Sequence, residues 1–255
     1  MIEKKTPAQI EKMREAGRVV ARALQAMQDA AAVGVTLKEI DAVAAAVLAD
    51  AGATSPFLDY HPDWAPVPFP GVICASVNDA IVHGIPTEYA LQDGDLVSID
   101  FGAILDGWCG DSARSFIVGT PRAEDQRLVD VTKAALEAGI AAAQVGNTIG
   151  DIGHAVGKVA RKARFGNLED HGGHGIGTEM HMDPFVPNEG RRGKGLKLTP
   201  GLVIAIEPMF IADGHGDYVQ DADGWTLRSP RGARAAHWEH TVAITEDGPV
   251  ILTAL

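Results

Sequence analysis

The chain carries one series of motifs twice, and that repeat constrains its fold more than any other feature. Val33-Gly34-Val35-Thr36-Leu37-Lys38-Glu39-Ile40 returns 112 positions later as Val145-Gly146-Asn147-Thr148-Ile149-Gly150-Asp151-Ile152. Val-Gly, the threonine, an aliphatic residue, an acid and an isoleucine all align. After each copy comes a His-Gly-Ile, first His83-Gly84-Ile85 and then His174-Gly175-Ile176. After each of those comes an apolar run that ends in a carboxylate, LVSID at 96–100 and LVIAIE at 202–207. Ala-rich helices resemble one another by chance; an ordered trio of helix, His-Gly-Ile and acid-bearing strand is poorly explained that way. Two similar halves would share one core and bring both acid-bearing strands into a central cleft. No Ser/Pro-rich linker divides them. The expectation is therefore one domain over residues 1–255, with pseudo-symmetric halves at 6–120 and 121–253 and no N-terminal extension domain.

The bulk properties narrow the class. A chain of 255 residues can bury a large core, and 46% hydrophobic with 22% charged residues is ordinary for a globular enzyme and not for a disordered chain. A net charge of −12 argues against a general binder of nucleic acid or anionic membrane, which needs a basic footprint. Cys74 and Cys109 are too few for a disulfide framework. Nothing at the start resembles a signal peptide, and the apolar run at 42–49 is too short to span a bilayer. The expected location is the cytoplasm. Thr6-Pro7-Ala8-Gln9 reads as a helix start, with Thr as N-cap, Pro in the first turn and Gln three residues on.

The stretch HGGHGIGTEMH, 171–181, holds three histidines. It is neither a helical H-E-x-x-H zinc motif nor a G-x-x-x-x-G-K-[ST] phosphate loop, and by itself it decides nothing. Its partners come from elsewhere. Asp106-Gly107 between two alternating runs is a strong two-residue hairpin signal. With that loop, Leu105 pairs with Trp108, Gly102 with Asp111 and Asp100 with Ala113. Asp100 and Asp111 then become diagonal neighbours on one face, about 7–8 Å apart at the backbone. They form either a solvated ribbon face or a shared cation site; two inward acids without cations would repel. Glu207 ends the apolar run VIAIEPMF, where an exposed acid is out of place, and Pro208 biases it towards an extended backbone. Glu239 stands in the strand-like AHWEHTVAIT. Four acids on expected strands plus His174 make a hard, oxygen-dominated ligand set, suited to Mn, Fe(II), Co or Zn in a dinuclear site. Two such ions about 3.5–4 Å apart can polarise a carbonyl and hold a nucleophilic hydroxide.

These five residues and their surroundings resemble the type I methionine aminopeptidases of the pita-bread fold. The matching pieces are NDAIVHGIP (78–86), GDLVSIDFG with DGWCGDSARSF (94–116), GHGIGTEMHMDP (173–184), IEPMF (206–210) and WEHTVAIT (238–245). The resemblance implies an α+β fold of two pseudo-symmetric halves, with antiparallel sheet covered by helices around a dinuclear cleft. It implies two divalent ions (Co, Mn, Fe(II) or Zn), with Asp100 on one, His174 and Glu207 on the other, and Asp111 with Glu239 bridging. His83 and His181 are similar to the family histidines that hydrogen-bond the substrate and the tetrahedral intermediate, and Glu207 to its proton shuttle. The implied activity is removal of the initiator methionine from nascent proteins and peptides, preferring a small second residue, with a metal-bridging hydroxide attacking the scissile carbonyl.

A methionine side chain needs a narrow apolar slot with a polarisable wall. By resemblance that slot includes Phe69, Cys74, His83 and Trp225. Met180 stands where the family commonly has Phe and would soften the pocket rim. His171 reads as pocket wall or surface rather than a sixth ligand. The glycines of the 171–181 stretch would let the chain turn tightly and let a peptide approach. His237 and His240 flank Glu239 and read as satisfied strand histidines, with support of the metal-binding acids as the alternative. The basic loop NEGRRGKGLK, 188–197, reads as a solvated connection, with transient ribosome contact as its functional alternative. Expected partners are N-terminal Met peptides and nascent chains, with neither membrane nor nucleic acid, and the enzyme is expected to be a monomer. The alternatives are an X-Pro dipeptidase of the same fold, which usually carries an extra N-terminal domain, and a non-catalytic peptide- or protein-binding relative, which should have lost ligands.

Overall fold

The computed structural model describes residues 2–255. Two helices, α1 (Pro7–Ala30) and α2 (Leu37–Ala51), precede β1 (Cys74–Val77), β2 (Ala80–Val82), β3 (Leu96–Leu105) and β4 (Trp108–Ile117). Two more, α3 (Ala123–Ala142) and α4 (Ile149–Ala163), precede β5 (Gly166–Asn167), β6 (Gly172–Gly175), β7 (Met182–Pro187), β8 (Val203–Ile206) and β9 (Met209–Ile211). The chain closes with β10 (Val219–Gln220), β11 (Leu227–Arg228), β12 (Ala235–His237), β13 (His240–Thr245) and β14 (Gly248–Ile251).

The helix starts follow from local chemistry. Thr6, Thr36 and Thr148 each cap a helix in a box whose third residue, Gln9, Glu39 or Asp151, answers the cap's own N–H. Thr36 and Thr148 are the two copies of the repeat, so the repeated letters encode the same cap twice. The α1–α2 pair buries Val20, Leu24, Met27, Ile40 and Leu48 against Val97, Ile99 and Phe101 of β3. Leu136 of α3 with Ile149 and Ile152 of α4 packs on Ile204, Ile206, Val242 and Ile244. Among the described residues no helix is long and apolar enough to cross a membrane.

All the strand pairing is antiparallel, in three three-stranded sheets and one of five. β1–β3–β4 form one sheet, with the expected register: Leu105 opposite Trp108, Gly102 opposite Asp111, Asp100 opposite Ala113. Asp106 and Gly107 have φ 49° and 78°, the left-handed values a two-residue primed turn demands. The five-stranded sheet runs β14-β13-β8-β6-β7.

Three sequence expectations need correction. Asp100 does not end its strand but lies in the middle of β3, because the ribbon continues to the hairpin. Glu207 and Glu239 are not on strands: Glu207 falls between β8 and β9, and Glu239 between β12 and β13. Pro208 has no N–H for a ladder, and the Glu239 N–H donates across to the Ala113 carbonyl of β4 at 3.0 Å. Nor do the glycines of 172–175 make a turn. They are strand β6, and a Cβ on Gly173 would come within 2.0 Å of the Ala205 carbonyl oxygen. Small size at Gly173 lets two strands approach closely.

Candidate metal centre

Two sheets deliver the acids. β3 and β4 carry Asp100 and Asp111, while the five-stranded sheet carries His174 on β6 and has Glu207 and Glu239 at the ends of β8 and β13. Hydroxyls staple the two together. Thr241 Oγ accepts from the Asp111 N–H at 3.0 Å and donates to the Asp111 carbonyl at 2.8 Å. Ser112 Oγ donates to the Glu239 carbonyl at 2.5 Å, and Ser115 Oγ to that of His237 at 2.8 Å. Asp111 and Glu239, buried at 3% and 1% exposure, are thereby held opposite each other.

The ligand atoms of Asp111, His174 and Glu239 lie within 4.8 Å of one another, as do those of Glu207, His237 and Glu239. Glu239 belongs to both groups. His174 Nε2 is 3.6 Å from both an Asp111 and a Glu207 carboxylate oxygen. Its Nδ1 lies 2.9 Å from the Gly175 carbonyl, a contact that orients the ring and turns Nε2 towards the acids.

A cation fits this arrangement. Asp100 Oδ1, Asp111 Oδ1 and Glu239 Oε1 are buried with no hydrogen-bond partner. Burial, with the charges of Asp111 and Glu207 beside them, pushes the Asp100 and Glu239 carboxyls well above the usual range. Unneutralised acids are costly in such a place, and a divalent ion resolves the cost. Burial also opposes the charges of Glu207 and His174, but the imidazoles around Glu207 pull it down on balance, while Asp111 and Glu207 raise His174.

All ten residues singled out from the sequence line one cavity of about 230 Å³. The four acids and the His174 imidazole form one side of it. Phe69, Cys74 and Trp225, 2–7% exposed, form an apolar floor, and Cys74 pairs directly with Asp100 across β1 and β3. His83 and His181 stand between the two parts. Burial pushes His83 down to about 4. His181 is lowered by its enclosure and by His174, its ring 4.5 Å away. His171 is pocket wall as expected, its ring 6.1 Å from His83 in an adjoining cavity. Met180 does not soften the rim: it is buried, its methyl beside Gly102 and its core cluster including Phe57, and it is not among the residues that line the cavity.

Sequence reasoning missed several residues. Phe57, Tyr60 and Trp64 also line the cavity, from a segment without periodicity. His237 lies 3.6 Å from a Glu207 oxygen. Its position beside Glu239 was the only available signal. Asn188 opens the basic loop, yet it is buried and its amide donates to the Glu207 carbonyl at 2.9 Å. Arg191–Lys197 are exposed as expected.

A model of metallopeptidase family M24 matches residues 11–246. The chain belongs to this family. Among M24 relatives, it is 48% identical to methionine aminopeptidase 1 of Mycobacterium tuberculosis, over 99% of this chain and 95% of that one. It is 43% identical to the methionine aminopeptidase of Aquifex aeolicus, over 100% of this chain and 99% of that one. The crystal structure of the Thermotoga maritima methionine aminopeptidase superposes with a TM-score of 0.95 at 37% identity, each chain covered completely. Prolidase from Pyrococcus furiosus shares the M24 fold, with a TM-score of 0.79 at 24% identity over 99% of this chain and 65% of that one. The α+β, pita-bread architecture expected from the motifs is thus the one this family has.

Proposed function

We propose that this M24 enzyme is a methionine aminopeptidase, a hydrolase that removes methionine from the N-terminus of peptides and nascent proteins. The observation that carries the reading is one small cavity that joins an apolar floor to a carboxylate cluster. Its volume, about 230 Å³, is below the 300–1,000 Å³ typical of ligand pockets, which suits a single side chain with the adjoining backbone. The names and identities of the full-length relatives support the same substrate. The chain acts as one catalytic unit, its two repeat-bearing halves meeting at the ligands.

Asp100, Asp111, His174, Glu207 and Glu239 would hold two divalent ions, of which Mn, Fe(II), Co and Zn suit the donors. When bound, the ions supply Lewis acidity to the scissile carbonyl and a nucleophilic water at neutral pH. Around them the chain's own groups do the rest. Glu207, kept ionised by the neighbouring imidazoles, accepts a proton and passes it to the leaving amine. His83 and His181, neutral at physiological pH, donate hydrogen bonds where negative charge develops on the carbonyl oxygen. The apolar floor excludes water and fixes the first residue. A small second residue passes the enclosed site most easily.

The test is metal-dependent hydrolysis of Met-Ala-Ser beside Leu-Ala-Ser and Ala-Pro, with Asp111→Ala as control. Stripped enzyme reconstituted with Mn(II), Fe(II) or Co(II) should release free methionine, with little turnover of the other two peptides and none in the variant. Cleavage of Ala-Pro alone would move the enzyme to the dipeptidase branch of M24. Binding of metal without any turnover would refute the reading.

A further inference from the structure

The segment between α2 and β1 has five prolines between Pro56 and Pro70. Each fixes φ and removes a backbone donor, so the segment cannot be a helix or an inner strand. It nevertheless closes on itself. The Asp59 N–H donates to the Phe69 carbonyl and the Phe69 N–H to the Tyr60 carbonyl, both at 2.9 Å. At the tip, His61 Nε2 is 3.1 Å from the Ala65 carbonyl. The loop is anchored on the turn before β11: the Trp225 indole N–H donates to the Val67 carbonyl at 2.9 Å. A Cβ on Gly224 would meet Pro66 at 2.2 Å, so loop and turn touch directly.

Three rings converge on Trp225. Trp64 and Phe69 meet it edge-on, with centroids 5.0 and 5.1 Å away, and Tyr60 lies at 6.2 Å. Phe69 and Trp225 are buried, but Trp64 lines the same cavity while remaining 60% exposed. A large ring on a proline-rich loop, lining an apolar slot and still open to water, leaves area that an occupant of the slot can cover.

We propose that Trp64 is a specificity-determining residue of this site: with Tyr60, Phe69 and Trp225 it forms an aromatic collar around the N-terminal methionine side chain and supplies the solvent-side wall. The inference rests on the methionine aminopeptidase reading above. Its chemistry is twofold. Burial of the Trp64 face occurs only when substrate is bound, so it contributes to substrate affinity. A thioether sulfur near several ring edges gains a contact that the isosteric methylene of norleucine lacks. Cys74 bounds the slot beside Asp100, and the collar reads the sulfur.

The experiment compares metal-loaded wild type, Trp64→Ala and Trp64→Phe on Met-Ala-Ser, norleucyl-Ala-Ser and Leu-Ala-Ser, with thermal unfolding of each protein. In Trp64→Ala, KM for Met-Ala-Ser should rise about tenfold, with a smaller change in kcat. Its preference for methionine over norleucine should fall by about two- to tenfold, and Trp64→Phe should recover most of it. Unchanged KM and unchanged preference in a Trp64→Ala protein that melts like wild type would overturn the proposal. An equal loss on all three substrates with a lowered melting temperature would also overturn it, since Trp64 would then only brace the loop. If wild type releases no methionine under any metal, the aminopeptidase reading fails and this inference goes with it; if wild type is active and only the preference stays put, the inference fails alone.

Discussion

His83 and His174 open the same tripeptide, His-Gly-Ile, in the two copies of the repeat, and they end up with opposite chemistry. His83 follows β2 with a left-handed φ of 59°, and its neighbour Gly84 donates its N–H to Ser76 Oγ at 3.1 Å. Burial, then His171 nearby, pushes its pKa to about 4, so it is a neutral ring. His174 sits inside β6 with two carboxylates 3.6 Å from Nε2, and those acids raise its pKa in spite of burial. The local motif delivers an imidazole to the cleft in both cases. Which role it takes depends on which carboxylates the rest of the chain places opposite.

Removing the two rings should separate those roles. His174→Ala takes a donor from the cluster, so metal content should drop and methionine release should fall on the order of 10³-fold or more. Elemental analysis beside the rate decides it; full metal occupancy in the variant would show that His174 is no ligand. His83→Ala should keep its metal and lose on the order of 10²–10³ in kcat, the usual cost of one donor to a developing oxyanion. Equal loss of metal in both variants would erase the contrast. The pH dependence carries a sign as well. Because the folded pKa of His83 lies below its ordinary 6.5, the unfolded chain takes up a proton that the folded chain refuses. Stability is therefore lost as pH falls from 6.5 towards 4, and His83→Ala should lose less of it, measured by denaturant titration across that range.

The smallest effect tests the repeat itself. Thr36→Ala and Thr148→Ala each remove a capping box, α2 in the first copy and α4 in the second, and each should cost about 1 kcal/mol of unfolding free energy. Thr148 is buried at 6% exposure while Thr36 is more open, so a larger cost at Thr148 would sharpen the comparison. No cost at either would mean that the shared letters have no shared structural task.

Much of the site was legible because its parts obey short-range rules. Asp106-Gly107 imposes a turn of one geometry, and pleat alternation then carries Asp100 and Asp111 to one face without further information. Glu207 stood out because an acid inside VIAIEPMF has no solvated place to go. The same reasoning put Glu207 and Glu239 on strands, since an apolar run does not reveal where its ladder breaks. Trp64 and Tyr60 were illegible: a proline-rich segment has no period, and nothing in it indicates that residue 225 is its docking partner.

The sequence by itself determined the helix starts, the hairpin register, the repeat and the donor types of the cluster, because each depends on residues a few positions apart. Only the tertiary structure decided that Met180 is core rather than rim and that Asn188 and His237 support Glu207. It also placed four aromatic rings at the end of the slot. Those contacts join segments far apart in the chain, and their partners are selected by how whole layers pack.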